Sequence, residues 1–289
     1  MSFTPDSLLN CMTRIPFGVD RLDSLFGGGA PAGSVVLLST DAGAGGRAFC
    51  HTSAVINALA TGGPEKFEQY YDGLHADSAP PSEVHYISFT AGPDAIRQEF
   101  QFAMADDLVE TATDSITFHD LSTAYFQLSP VPREWYLEDS TSLQGLGKQD
   151  RHPDPLTALG DRLTEHAEGN LVVVDSLTDL VSAGRDRVQW NEIAMLTKGL
   201  KKAATEWGGL ILLVINQACV TDQQLGALMA GVSGTFEFSW ESGGSQRART
   251  MVVREFGGVL SRLEDENIVR FETEVLDSGF DISDIRKIR

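Results

Sequence analysis

The chain has 289 residues, with 41 Asp and Glu against 22 Lys and Arg, giving a formal net charge of −19 and an isoelectric point near 4.6. Hydrophobic residues make up 42%, enough for a packed core at a length that suits one large α/β domain. A disordered acidic tail is excluded because the acids are scattered through segments of strong apolar periodicity, and a disulfide scaffold because Cys11, Cys50 and Cys219 are odd in number, isolated and apolar-flanked.

In chain order, the first buried strand is expected at Ser34–Ser39, followed by a helix over Arg47–Ala60 that Gly62 and Gly63 stop. A second strand, Val84–Phe89, leads into Ile96, Phe100, Met104 and Leu108 at four-residue spacing, which reads as one helix with Pro93 in its first turn. Ser115–Phe118 is the third strand. Leu121–Asp154 holds Pro130, Pro132, Trp135, Tyr136 and Pro153 without clear periodicity and reads as an insertion or long loop. A helix over Pro155–Glu168 with Asp154 as its cap precedes strand Asn170–Asp175. Ile193, Leu196, Leu200, Ala203 and Trp207 line one helical face before strand Leu210–Ile215. Thr235–Trp240, Ala248–Glu255 and Ile268–Glu274 are strand-like with short links, an antiparallel extension. The fold class is therefore α/β, a mostly parallel central sheet with helices on both faces and a C-terminal antiparallel extension. No stretch nears the ~20 apolar residues of a membrane helix, and the N-terminus lacks the basic start and apolar run of a secretory signal. The expectation is a cytoplasmic protein without membrane insertion.

The first strand runs into Thr40-Asp41-Ala42-Gly43-Ala44-Gly45-Gly46-Arg47 and then a helix. A glycine-rich turn between strand and helix lets backbone N–H groups converge on an anion at the positive helix end. The full phosphate loop reads Gly-x-x-x-x-Gly-Lys-Ser/Thr. With Gly45 on the second glycine, Thr40 stands for the first, Gly46 for the lysine and Arg47 for the hydroxyl. Arg47 can offer charge to a phosphate but cannot ligate a cation. On spacing alone, a weakened nucleotide site and a loop that merely turns the chain are both open.

The segment from Arg14 reads Arg-Ile-Pro-Phe-Gly-Val-Asp-Arg-Leu-Asp-Ser-Leu-Phe-Gly-Gly-Gly-Ala-Pro-Ala-Gly before the first strand. It resembles the segment leading to the phosphate loop in RecA-superfamily ATPases of the KaiC, RadA and GvpD kind. Asn170–Asp175 followed by Ser176-Leu177-Thr178 is similar to the Walker B strand of KaiC-like proteins, and Ile215-Asn216-Gln217 to the Asn-Gln that ends a recombinase core strand. Arg249–Gly258 with Gly279 matches the closing hairpin of that family. The resemblance spans residues 14–289 as one RecA-like P-loop domain, apart from the insertion at about 121–154 and a leader over 1–13.

The resemblance implies a site built from Asp41, Gly43, Gly45, Gly46, Arg47, Asp175 and Gln217, with ATP and Mg²⁺ as its ligands if it binds any, the metal at Asp175. Asp175 orients a metal-bound water on that reading, or caps the next helix through Ser176–Asp179. Gln217 senses a γ-phosphate or hydrogen-bonds backbone. In the family an acidic pair ends the strand before the second helix, whereas Thr90-Ala91-Gly92 stands here. A late Lys-x-Arg pair reaches the next subunit's nucleotide. Here Arg254 can serve for the lysine as a trans contact, but Phe256 takes the arginine position. Losing a base or an arginine finger costs roughly 10² to 10⁵ in rate. The expectation is a catalytically degenerate KaiC/RecA-like domain, a regulatory or scaffolding module working as a homo-oligomer or with an active relative. The alternative is a nucleotide-binding switch or weak ATPase using Arg47 and Asp175. A recombinase-type DNA repair accessory ranks last, because no Lys or Arg lies between Lys202 and Arg247 and phosphate contacts need cations.

His51, His75, His85, His119, His152 and His166 show no ligand spacing, so no metal site is expected from them. Arg286, Lys287 and Arg289 read as a small basic end, a solvated tail or a pairing partner for the acidic surface. Only six lysines stand against sixteen arginines. An acid-rich, lysine-poor surface resembles haloarchaeal proteins and suits molar salt, where the Debye length falls to roughly 3 Å and self-repulsion is screened. The expected outcome is a melting temperature that climbs from low to molar KCl. A flat or falling series would remove the salt-adaptation reading.

Overall fold

The computed structural model describes residues 13–127, 129–137, 153–183, 188–243, 246–257 and 268–287. The expected leader over 1–13, apart from Thr13, and the part of the insertion at 138–152 lie outside them. The chain starts with strand β1 (Arg14–Ile15), helix α1 (Asp20–Phe26) and strand β2 (Ala30–Pro31), β1 and β2 pairing antiparallel. Strand β3 (Ser34–Thr40) then feeds helix α2 (Gly46–Gly62), and α3 (Pro64–Tyr70) follows at once.

Strand β4 (Val84–Ser88) leads into α4 (Pro93–Ala103) and α5 (Asp106–Thr113), where one helix was expected. The break falls at Met104, which is extended, and the amide of Ala105 donates to the carbonyl of Asp277 at 2.8 Å. A tertiary partner from the far end of the chain thus takes the hydrogen bond that would have continued the helix. Strand β5 (Ile116–Asp120) is followed by α6 (Ser122–Phe126) and a short 3₁₀ turn at Arg133–Trp135, both inside the segment expected to lack periodicity. Helix α7 (Pro155–His166) starts at Asp154 as expected, its carboxylate accepting from the amides of Leu156 and Thr157.

Strand β6 (Leu171–Asp175), helix α8 (Leu177–Ser182), helix α9 (Trp190–Trp207), strand β7 (Leu210–Asn216) and helix α10 (Asp222–Met229) complete the alternating part. Strands β8 (Gly234–Gly243), β9 (Gln246–Phe256), β10 (Ile268–Leu276) and β11 (Gly279–Lys287) close the chain. Among the described residues, nine strands form one sheet in the order β11-β10-β9-β8-β3-β7-β6-β4-β5. Two features of the end of the chain differ from expectation. β8 pairs parallel to β3, so the antiparallel extension begins only at β9. Arg286 and Lys287 belong to a fourth strand, β11, instead of a loose tail.

The core strands are apolar at consecutive positions because both faces are covered. Val36 and Leu38 face α2, α4 and α5, and Val35 and Leu37 face α7, α8 and α9. The C-terminal strands extend the first of these cores with aromatic rings. Phe236 and Phe256 pack against Phe17 and Phe26, and Phe238 and Phe280 against Phe49. At Gly279, φ is +103° and a Cβ would lie 2.4 Å from the Thr52 hydroxyl, which accepts the amide of Phe280 at 2.7 Å. The hairpin turn is thereby seated directly on α2. Among the described residues, no helix is long and apolar enough to cross a membrane.

The N-terminal segment is held by one buried carboxylate. Asp23 accepts the amides of Phe17 at 2.8 Å and Gly18 at 2.9 Å and the Tyr71 hydroxyl at 3.0 Å. Burial raises it to about 7, against the lowering effect of these donors. An acid whose folded pKa exceeds its unfolded value contributes stability that is fully present below pH 3.8 and is lost as pH rises through about 7. Leaving a buried donor without an acceptor costs about 1–3 kcal/mol. Asp23→Ala is expected to destabilise by roughly 3 kcal/mol or more, read by chemical denaturation. The native protein, unlike the variant, should lose stability from this group between pH 4 and 7.

Candidate nucleotide-loop site

β3 ends at Thr40 and α2 begins at Gly46, so the five intervening residues turn the chain at the C-terminal end of the parallel strands. This is the end of an α/β sheet where ligands bind. Gly43 and Gly45 have φ of +74° and +115°, conformations that the tight turn requires and side-chain-bearing residues rarely adopt. The first turn of α2 carries no acidic residue, and its cap, Gly45, offers no side-chain acceptor. A cavity of about 370 Å³ opens here, lined by the loop, by Asp175, Ser176 and Thr178 after β6, and by Arg249.

Asp41, Gly43, Gly45, Gly46, Arg47 and Asp175 all line this cavity. Gln217 joins them through Asp41, its Nε2 donating to Oδ1 at 2.6 Å, while Ser39 donates to its Oε1 at 3.4 Å. Arg254 does not join. It lies on β9, half exposed, with its Nε donating to Glu237 of β8 at 2.6 Å. Phe256, two residues on, is 3% exposed and stacks on Phe236 at 5.9 Å between ring centroids. That position belongs to the aromatic core.

Arg47 does not project into the cavity as an unpaired cation. Its Nε donates to Oδ2 of Asp175 at 2.7 Å, and its Nη1 lies 3.3 Å from Glu99 of α4. Burial would lower the guanidinium, but Asp175, followed by weaker contributions from Tyr86 and Glu99, holds it above the ordinary arginine range. Asp175 is 5% exposed and accepts a second hydrogen bond, from the Tyr86 hydroxyl at 2.8 Å. It does not cap α8: Ser176 and Asp179 form that capping box between themselves. Burial, then the Asp175 charge, pushes the Tyr86 phenol and the Cys50 thiol well up, so both stay neutral. Thr90 is exposed, Asp120 at the end of β5 lines a pocket with Thr90 and Gly92, and Glu99 of α4 pairs with Arg47.

Sequence reasoning missed Trp240 and Arg249 at this site. They face each other across the β8–β9 pair. The Trp240 indole donates to the carbonyl of Ala42 at 2.9 Å and Arg249 Nε to that of Gly43 at 3.1 Å. The guanidinium lies 5.0 Å from the indole centroid, a cation–π contact. Only the register of the two strands reveals this pair.

Mg²⁺ is a hard cation that takes oxygen ligands in octahedral geometry. The hydroxyl position of the loop is a guanidinium that sits on Asp175, and the other carboxylate lining the cavity, Asp41, accepts from Gln217. The residues present do not fit the ion. Gly46 sharpens the point. A Cβ there would lie 2.8 Å from the Thr40 Cβ and 3.3 Å from the Phe238 ring. The threonine at the first-glycine position thus fills the space beside the lysine position.

No family model and no curated protein matches the chain. A solved structure does: a KaiC-like protein from the hyperthermophilic archaeon Pyrococcus horikoshii aligns over 94% of this chain and 100% of its own, at TM-score 0.58 and 14% identity. The fold is KaiC-like and RecA-type. At that identity the likeness concerns the fold alone.

Across the sheet, a group that sequence spacing had dismissed comes together. His85, His119 and His166 place one ring nitrogen each within 4.8 Å of the others. Burial and then the charge of His166 lower His85, and burial with both neighbouring imidazoles pushes His119 down to about 4.

Thr40 and Gly46 are predicted to be energetically coupled. Gly46→Lys alone should destabilise by about 1–3 kcal/mol, the usual cost of overpacking. Adding Thr40→Gly should recover part of that loss in a double-mutant cycle read by urea denaturation.

Proposed function

We propose that this chain is a KaiC/RecA-like domain without ATP hydrolysis, acting as a regulatory or scaffolding module in a salt-rich cytoplasm. The observation that carries the reading is the Arg47–Asp175 pair at 2.7 Å. Hydrolysis in P-loop enzymes needs a loop hydroxyl and a Walker B acid on Mg²⁺, a lysine at the β- and γ-phosphates and a polarised water. Here an arginine replaces the hydroxyl and pairs with the acid, Gly46 leaves no charge at the lysine position, and Thr90-Ala91-Gly92 stands where the family carries its acidic pair. The Walker A motif is degenerate on this reading. Arg254, engaged with Glu237, and Phe256, buried, favour the loss of a trans-acting finger. The KaiC-like fold supports a role in assembly with copies of itself or with an active relative.

A second reading rests on a separate observation. The positive end of the 17-residue helix α2 has no side-chain cap, and it borders a cavity where Arg249 supplies a cation. Such a helix terminus favours an anion, so a metal-independent nucleotide or phosphate switch is the alternative. Asp175, Arg47, Gln217 and Asp41 would then change partners on binding.

Labelled ATP analogue binding and phosphate release, measured in molar KCl with and without Mg²⁺, test both. No turnover above background, and no gain in affinity from Mg²⁺, is expected for the first reading. Micromolar binding that ignores Mg²⁺ and weakens in Arg249→Ala would favour the switch. Mg²⁺-dependent binding with turnover would overturn the non-hydrolysing assignment.

A further inference from the structure

The side chains of β4 alternate between two cores. Tyr86 faces α2 and α4, whereas Ile87 and Phe89 face the layer that contains α7. His85 has the parity of Ile87, and so lies on the face opposite Asp175 and the loop. In the parallel β4–β5 register, Ile87 is level with His119 and His85 with Thr117, which puts His85 and His119 diagonally adjacent on one face. Helix α7 crosses that face, and its last residue, His166, closes over both rings. Ring centroids are 4.6 Å apart for His85–His166 and for His119–His166, and 5.3 Å apart for His85–His119.

We infer that His85, His119 and His166 form a binding site for a borderline divalent transition ion of the zinc class, clamping the edge strand β5 and its neighbour β4 to helix α7. Zinc takes imidazole nitrogens at about 2.0–2.1 Å in tetrahedral geometry, which places ligand atoms roughly 3.4 Å from one another. His85 Nδ1 and His119 Nε2 are already 3.0 Å apart. His166 completes the set by a rotamer adjustment at a helix end, where it is partly exposed. Three imidazoles with no thiolate select ions such as Zn²⁺, Co²⁺ or Ni²⁺ over Mg²⁺.

The surroundings are those of a held ligand set. Glu83 Oε2 lies 3.1 Å from His85 Nε2; in the tautomer with the proton on Nε2, Glu83 accepts that N–H and the Nδ1 lone pair is directed at the cluster. This is the carboxylate–histidine arrangement that orients metal ligands. Asn170 braces the group: its side-chain oxygen accepts the amide of Glu83 at 3.0 Å, and its Nδ2 donates to the carbonyl of His166 at 2.9 Å. The cluster meets the C-terminal end of α7, whose dipole favours a cation. Glu165 lies 3.5 Å from His166 Nε2 and also pairs with Arg162 at 2.9 Å, so that local positive charge is compensated. Three protein ligands leave a fourth position for water or for Glu165.

The test uses the full chain, stripped with chelator and dialysed into molar KCl. Titration with Zn²⁺ should show one ion per chain at micromolar affinity or better, with a rise in melting temperature that MgCl₂ does not reproduce. Co²⁺ should give the d–d bands of a four-coordinate nitrogen and oxygen site without thiolate charge transfer. His166→Gln, at a helix end and tolerant of change, should lose the site. His119→Gln should do the same, and Glu83→Gln should weaken binding about 10-fold or more. Cys219→Ser should leave binding unchanged. Absence of a one-to-one Zn²⁺ site, or Zn²⁺ affinity unaltered in His166→Gln, would overturn the inference.

Discussion

The seven residues of β3 pair with β7 along one edge, and Val36–Thr40 with β8 along the other, with apolar cores on both faces. Thr40 therefore leaves the sheet at a fixed height, level with Asn216 and Phe238. A central strand so constrained cannot slip, because a shift of one residue would exchange its two buried faces. The loop that follows has five residues in which to reverse and enter α2. Its path decides where Arg47 emerges, and β6, next but one in the sheet, brings Asp175 to meet it.

The pair that results has a chemical weight larger than its energetic one. Arg47 is half exposed on its side chain, and an ion pair open to water on one side contributes only on the order of 1 kcal/mol. What it changes is the identity of the cation at Asp175. A fixed guanidinium, held also by Glu99, now lies where a divalent ion would need an oxygen from the loop. The neighbouring groups are set in the same sense. Tyr86 donates to the same carboxylate oxygen, and Gln217 ties Asp41 to the end of β7. Trp240 and Arg249 take two loop carbonyls. The loop is thus pinned from both sides by side chains from strands that sequence order keeps far apart.

The parallel strands β3, β4, β6 and β7 were legible because burial on both faces leaves a nearly unbroken buried run. The glycine loop and its flanking segments were legible for a related reason, since positive φ at Gly43 and Gly45 restricts the residues that can stand there. The break at Met104 was not legible: the four-residue spacing continues through it, and the competing hydrogen bond comes from Asp277 in the C-terminal hairpin. β11 carried a usable signal, the alternation of Phe280 and Ile282 with acids after a glycine turn, but its charges concealed it. The partners of Arg47 could be suspected only in part. Asp175 was named for a metal, and the contact with Arg47 follows from strand order and helix placement, which spacing does not encode.

The histidines show the same limit from the other side of the sheet. A metal motif is readable in sequence when its ligands sit on one turn or one helix face, because the local geometry is then implied by the spacing. His85, His119 and His166 meet through a parallel register and a helix crossing, both of which are long-range. Alternation along β4 separates the two constellations by a single residue: Tyr86 reaches Asp175 on one face while His85 joins the imidazoles on the other. One short strand therefore carries a position in each. The face toward α2 holds an arginine against its carboxylate, and the face toward α7 gathers three imidazoles beside Glu83. A cation of the zinc class finds ligands on the second, because its imidazole nitrogens face one another without a competing cation while the carboxylate on the first already has its own.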